Sequence, residues 1–185
     1  MSIESNKTLG GIGAILTAIG FIVPVISIIG IILVLVSLKG LAEYYNENLI
    51  FQNALYGIIF YIIAVIVSTI VLIGSVFGIL AGASWGHIPL FVSGAIAALV
   101  VMFIFYLIGT MFFKRSFDAL SAKSGEKMFN TAGLVLLMGA ILIIIFFVGI
   151  ILMLVAWILA AVAFFSLKTI SAQPLPVQAP PPPPL

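Results

Sequence analysis

From Ala132 to Leu167 the chain runs without a single ionisable residue, and no other feature restricts its folding as strongly. As one helix, its roughly 36 residues would be about 54 Å long at ~1.5 Å per residue. A ~30 Å hydrocarbon core would then require a tilt of about 55°, beyond the ~40° at which observed tilts stop. Two shorter helices solve this better, with a turn expected near Phe146 to Gly149. Three other apolar blocks precede it: Leu9 to Leu38, Ala54 to Ala83 and Ile88 to Phe113. The first contains Pro24 in mid-run, which removes a backbone donor and clashes with the preceding turn, so a second hairpin is expected there. Such runs belong in lipid. With 64% hydrophobic residues, 6% charged and a mean hydropathy of +1.44, the chain lacks the polar surface to cover itself in water. A short apolar core followed by a cleavage site is absent from the first residues, so the N-terminus is expected to be retained.

Charge tests this division. Lys and Arg near span ends gather on the cytoplasmic side. With both outer blocks folded as hairpins, six spans result, and Lys7, Lys39, Lys114, Arg115, Lys123, Lys127 and Lys168 all fall on one side. With unbroken outer blocks, four long spans result and the basic residues divide between two sides. The expectation is an all-α, polytopic transmembrane helical bundle of six spans in three helical hairpins, over residues 1–168, with the four long spans as alternative. Both termini are placed in the cytoplasm of a cell bounded by a plasma membrane. A nine-residue echo, Gly30 to Leu38 against Gly149 to Trp157, suggests a parallel repeat of the returning helices.

The apolar blocks contain no Asp, Glu, Lys or Arg, which disfavours ion-coupled transport through buried carboxylates. Neutral polar groups remain at Thr17, Ser27, Ser68, Thr69, Ser75, Ser93, Tyr106 and Thr110. They fit a path for a neutral or lipid-like solute, although hydroxyls in membrane helices more often bond to the preceding turn or a neighbouring helix. Small residues at four-residue spacing, most clearly Gly74, Gly78 and Gly82, with Gly10, Ala14, Ala18 and Gly94, Ala98 as weaker cases, mark close helix packing. His87 lies in the short connection Ser84 to Pro89, where a solvated histidine is the ordinary reading and a pH gate the special one.

Two polar connections carry the remaining chemistry. In Lys39 to Asn48, Lys39 and Glu43 are candidate interaction residues, and Asn46 or Asn48 is expected to cap the next helix. In the other, Lys114, Arg115 and Asp118 share a helical face, Phe117 and Leu120 are placed at the interface, and Gly125 ends the helix. The same five charged residues suit a docking surface or contact with anionic lipid. Residues 169–185, ending in five prolines, read as a disordered, proline-rich tail with polyproline II character. No paired carboxylates, activated nucleophile or phosphate-cradling loop is present, so neither catalysis nor a cofactor is expected. With no cysteine and one histidine, no metal centre is expected. A net charge of +2 is far from what nucleic acid requires. Asn6, Lys7 and Thr8 form a glycosylation acceptor, expected to stay unmodified on the cytoplasmic side.

These polar islands resemble a family of small integral membrane proteins, mostly archaeal, catalogued as a domain of unknown function. The matching pieces are Leu38 to Ala42 with Tyr44 and Tyr45; Ile50, Phe51 and Asn53 to Gly57; Ser116 to Asp118, Leu120, Gly125 and Phe129; Ala132 to Leu134; and Ala163 to Ser166. The resemblance covers Leu9 to Lys168 and leaves out the tail. It implies an archaeal plasma membrane and carries over no catalytic or binding residue. The functional expectation is a non-enzymatic membrane protein, structural or partner-binding through its cytoplasmic loops and tail; the alternative is a channel or facilitator for a neutral or lipid-like substrate. Expected partners are membrane lipids, another membrane or cytoplasmic protein, or further copies of the chain.

Overall fold

The computed structural model describes residues 3–20, 23–80, 88–144 and 146–168. They form six helices: α1 (Ile3–Ile19), α2 (Pro24–Tyr44), α3 (Asn48–Leu80), α4 (Ile88–Ser124), α5 (Met128–Ile141) and α6 (Phe146–Ser166). No strand occurs among the described residues. Both outer blocks double back. Pro24 stands in the first turn of α2, where its missing N–H has no helical partner to lose. The last block breaks at a 3-10 turn, Leu142–Ile144, a few residues before the expected position. Gly149 therefore belongs to α6 and serves packing instead of turning. Four helices are long and apolar enough to cross a membrane, over Val25–Tyr44, Asn48–Val71, Gly94–Ser124 and Phe147–Ser166. At 17 and 14 residues, α1 and α5 are shorter.

Each hairpin is closed by a reciprocal pair of glycines. A methyl group at Gly13 would lie 2.8 Å from the Gly30 carbonyl oxygen, and one at Gly30 would lie 2.7 Å from that of Gly13. Gly57 and Gly109 stand in the same relation at 2.9 Å each way, and Gly139 and Gly149 at 3.1 and 2.9 Å. Lipid gives apolar helices little reason to associate, so close backbone approach supplies the contact energy. The repetition extends along the helices. Seven residues beyond Gly30, Ser37 donates to the Asn6 carbonyl, 2.7 Å away and seven residues before Gly13. Seven beyond Gly109, Ser116 donates to the Ile50 carbonyl, 2.6 Å away and seven before Gly57. In the third hairpin the matching positions are Ala156 and Ala132, both buried. Burial alternates identically, position for position, from Gly30 to Glu43 and from Gly149 to Val162. The echo in the returning helices is thus a structural repeat, and the middle hairpin follows the same scheme. The outgoing helices share Gly-Ala-Ile-Leu, at Gly13 to Leu16 and Gly139 to Leu142.

The hairpins are joined cyclically: α2 packs on α3, α4 on α5, and α6 returns to α1. Where they converge, Phe113, Phe117, Phe129, Trp157 and Phe164 form an aromatic core. Its edge contacts include Phe129–Phe164 at 5.0 Å, Phe113–Trp157 at 6.0 Å and Phe117–Trp157 at 6.3 Å. Phe117 and Leu120, expected at the interface, are 1% and 0% exposed. They face the other hairpins, because α4 turns that side toward α5 and α6 and not toward lipid.

Gly74 has open space around the position of a Cβ, as does Gly94, so Gly74 packs against no helix among the described residues. The surroundings of Gly78, and Gly82 itself, lie outside the described residues. Of the weaker cases, Gly10, Ala14 and Ala18 are buried, and Gly10 faces the Phe164 ring and Ser37.

Candidate functional site at the charged end of the bundle

Three antiparallel hairpins bring the start of α1, α3 and α5 and the end of α2, α4 and α6 to one end of the bundle. The turns there are set by local backbone chemistry. α2 closes through Asn46, whose φ of 50° is left-handed, with Asn46 N–H donating to Glu43 O at 3.3 Å and Glu47 N–H to Ala42 O at 2.9 Å. This is the double bond of a Schellman stop. Asn46 therefore ends α2 instead of capping α3. The cap on α3 comes from the Glu47 carboxylate, which accepts the Leu49 N–H at 3.4 Å. As expected, Gly125 ends α4, at φ 75°. Glu126 then accepts the Met128 N–H at 3.2 Å to start α5.

On this scaffold Lys114 pairs with Asp118 one turn away, and the other Asp118 oxygen accepts the Asn130 amide of α5 at 2.9 Å. The stem of Lys114 lies along Gly133 of α5: a methyl there would sit 3.2 Å from its Cγ. A second link joins Lys123 of α4 to Glu47 of the α2–α3 turn at 3.1 Å. The Glu47 carboxyl is held below its ordinary value by the Lys123 hydrogen bond and, next, by the Leu49 N–H. Lys7 pairs with Glu4 at 3.6 Å. Of the five sequence-chosen residues, then, Lys114 and Asp118 are brought together. Arg115 is separate, its guanidinium 5.6 Å over the Phe112 ring. Lys39 and Glu43 are exposed on α2 and form no ion pair among the described residues. Asn130, Glu47 and Lys123 complete the network. Their partners lie on other elements, and only the register of the α4–α5 and α2–α3 turns brings them near.

Beneath this end, Asn6 is fully buried with neither amide atom hydrogen-bonded among the described residues. As a glycosylation acceptor it is hidden in the folded chain whichever side of a membrane it occupies, so lack of modification there carries no topological information. Further along, the Tyr61 and Thr110 hydroxyls lie 2.9 Å apart, Thr110 donates to Tyr106 O at 3.0 Å, and Tyr106 donates to Met153 Sδ at 3.2 Å. Each hydroxyl is thereby satisfied inside the bundle. Thr17 bonds its own helix through Gly13 O at 2.8 Å, and Ser68 does so through Val65 O at 2.8 Å. Thr69 is exposed, so Ser68 and Thr69 do not converge on a common path; the side chains of Ser75 and Ser93, and His87, lie outside the described residues. No group of three or more metal-ligating residues occurs among the described residues.

The family profile of a protein of unknown function, DUF996, matches residues 26–158. An uncharacterised protein of Methanocaldococcus jannaschii, MJ1644, is 33% identical over 173 residues, covering 90% of this chain and 94% of that protein. No solved structure matches. Its polar turns, its hairpins and this match agree: the chain belongs to the DUF996 family, whose function is unknown.

Proposed function

We propose that this is a non-enzymatic integral protein of an archaeal plasma membrane, with both termini in the cytoplasm, acting as a structural or partner-binding subunit through its charged end and its proline-rich tail. The observation that carries this reading is the unequal use of charge. Lys114, Asp118, Lys123 and Glu47 are consumed inside the fold. Lys39 and Glu43, four residues apart on the exposed side of α2, are left facing outward. Nothing in the fold requires that pair, and an opposed pair of charges suits register-specific recognition of a protein surface. The satisfied hydroxyls at Tyr61, Tyr106 and Thr110 support the same choice over a solute path.

Cross-linking in native membranes tests it. The wild-type chain is expected to give one defined protein adduct. Lys39→Glu or Glu43→Lys should abolish that adduct without changing thermal stability. An unchanged adduct pattern, or specific solute flux through the purified protein in liposomes, overturns the reading.

A further inference from the structure

Arg115 stands six residues beyond Gly109. The matching positions beyond Gly30 and Gly149 hold Val36 and Val155, 39% and 38% exposed. The repeat thus places an outward-facing side chain at this level, and only the middle hairpin puts a charge there. The guanidinium has no acidic partner among the described residues; it lies over Phe112. From Phe112 a column of rings continues along the outside of α3 and α4. Phe112 stacks on Phe60 at 5.6 Å and 9°, Phe60 on Phe105 at 6.0 Å and 27°, and Tyr56 flanks Phe112 at 5.6 Å. Tyr56 is 49% exposed, and the three phenylalanines are half-buried. From Arg115 to Phe105 the column covers about 15 Å at ~1.5 Å per residue.

We propose that Arg115 and this column of rings hold one anionic lipid, its phosphate on the guanidinium and its hydrocarbon chain along Phe112, Phe60 and Phe105. An uncompensated guanidinium beside lipid is costly, and its planar fork fits phosphate oxygens two at a time. The stacked, half-buried rings below it give the chain an apolar track of suitable length. The proposal rests on the membrane placement given above and not on partner binding at Lys39 and Glu43.

The full chain in phosphatidylcholine nanodiscs is titrated with phosphatidylglycerol, and lipid retained after release into detergent is counted by native mass spectrometry. One phosphatidylglycerol per chain is expected, with affinity about tenfold weaker in Arg115→Gln, the loss of a charge-assisted pair. Lys127→Gln, which removes another exposed cation, should behave as wild type. Soluble glycerol phosphate should not compete. Equal retention by Arg115→Gln and wild type, an equal loss in Lys127→Gln, equal retention of phosphatidylcholine, or effective competition by glycerol phosphate each overturns the assignment. If Arg115→Gln fails to fold in phosphatidylcholine alone, Phe60→Leu and Phe112→Leu decide. Weaker retention with folding intact supports the site, and unchanged retention overturns it.

Discussion

Single residues in this chain do work that their types alone would not assign. Asn6 is a polar residue fully buried between α1 and α2, and a methyl at Gly40 would run into its carboxamide. Because the obstruction is a side chain, it can be removed. Gly40→Ala alone should cost about 1–3 kcal/mol through overpacking. In the Asn6→Ala background most of that cost should vanish, giving a coupling of about 1 kcal/mol or more in a double-mutant cycle. Additive effects would show that the two residues do not meet. Glu47 supplies a second test at this scale. Its folded pKa lies below the ordinary value of 4.5, so its contribution is present above that value and lost as pH falls through the lower, folded one. Between about pH 6 and pH 3 the thermal midpoint of Glu47→Gln should fall less than that of wild type. Parallel curves would mean that Lys123 and Leu49 do not hold the carboxylate.

At the level of elements, the reciprocal glycines decide which helices approach. At Gly30 a methyl would meet the Thr17 backbone N at 2.5 Å and the Gly13 oxygen at 2.7 Å. Backbone cannot swing aside, so α1 and α2 must separate, and Gly30→Ala should destabilise by about 1–3 kcal/mol. Gly74→Ala meets nothing and should be neutral or gain up to ~1 kcal/mol in helix propensity. Reversible unfolding of the two variants in mixed micelles gives the comparison; an equal cost would remove the glycine pairs as organisers. The hairpins are legible because Pro24 and the length of the Ala132–Leu167 block favour a break in each outer block over the alternative of four long spans. The repeat was half legible: α2 and α6 share side chains, whereas α4 keeps only the spacing from Gly109 to Ser116. What the repeat needs there is a missing Cβ and a hydroxyl reaching a carbonyl, which leaves the other side chains free to diverge. The Gly-x-x-x-Gly spacing at Gly74 meets no neighbouring helix among the described residues of one chain. Small residues permit close approach, but a neighbour must be there to use it. Lys114 and Asp118 were legible as an i,i+4 pair, while Asn130 and Glu47 depend on turns whose geometry no local pattern encodes.

Over the whole molecule the three hairpins share one contact level but not one height. Measured from the glycine pairs, α1 continues only from Gly13 to Ile19 and α5 only from Gly139 to Ile141, whereas α3 continues from Gly57 to Leu80. At ~1.5 Å per residue these extensions are about 9 Å, 3 Å and 35 Å. The residues of the long arm are apolar and outward-facing, including Val65, Ile66, Ile70, Ile73 and Phe77, at 62, 52, 64, 51 and 67% exposure. Such a surface belongs in hydrocarbon. On the membrane placement proposed above, the middle hairpin sets the position of the bilayer, and the outer hairpins should stop short of its far surface. The chain has no cysteine, so single cysteines report position cleanly. A membrane-impermeant maleimide added to intact cells should label Ser84→Cys, in the connection between α3 and α4, and leave Val23→Cys and Phe147→Cys unlabelled. Lys39→Cys should react only after the membrane is opened. Comparable labelling of Val23→Cys and Ser84→Cys from outside would mean that the outer hairpins cross completely, and that the long arm must be covered by something other than lipid.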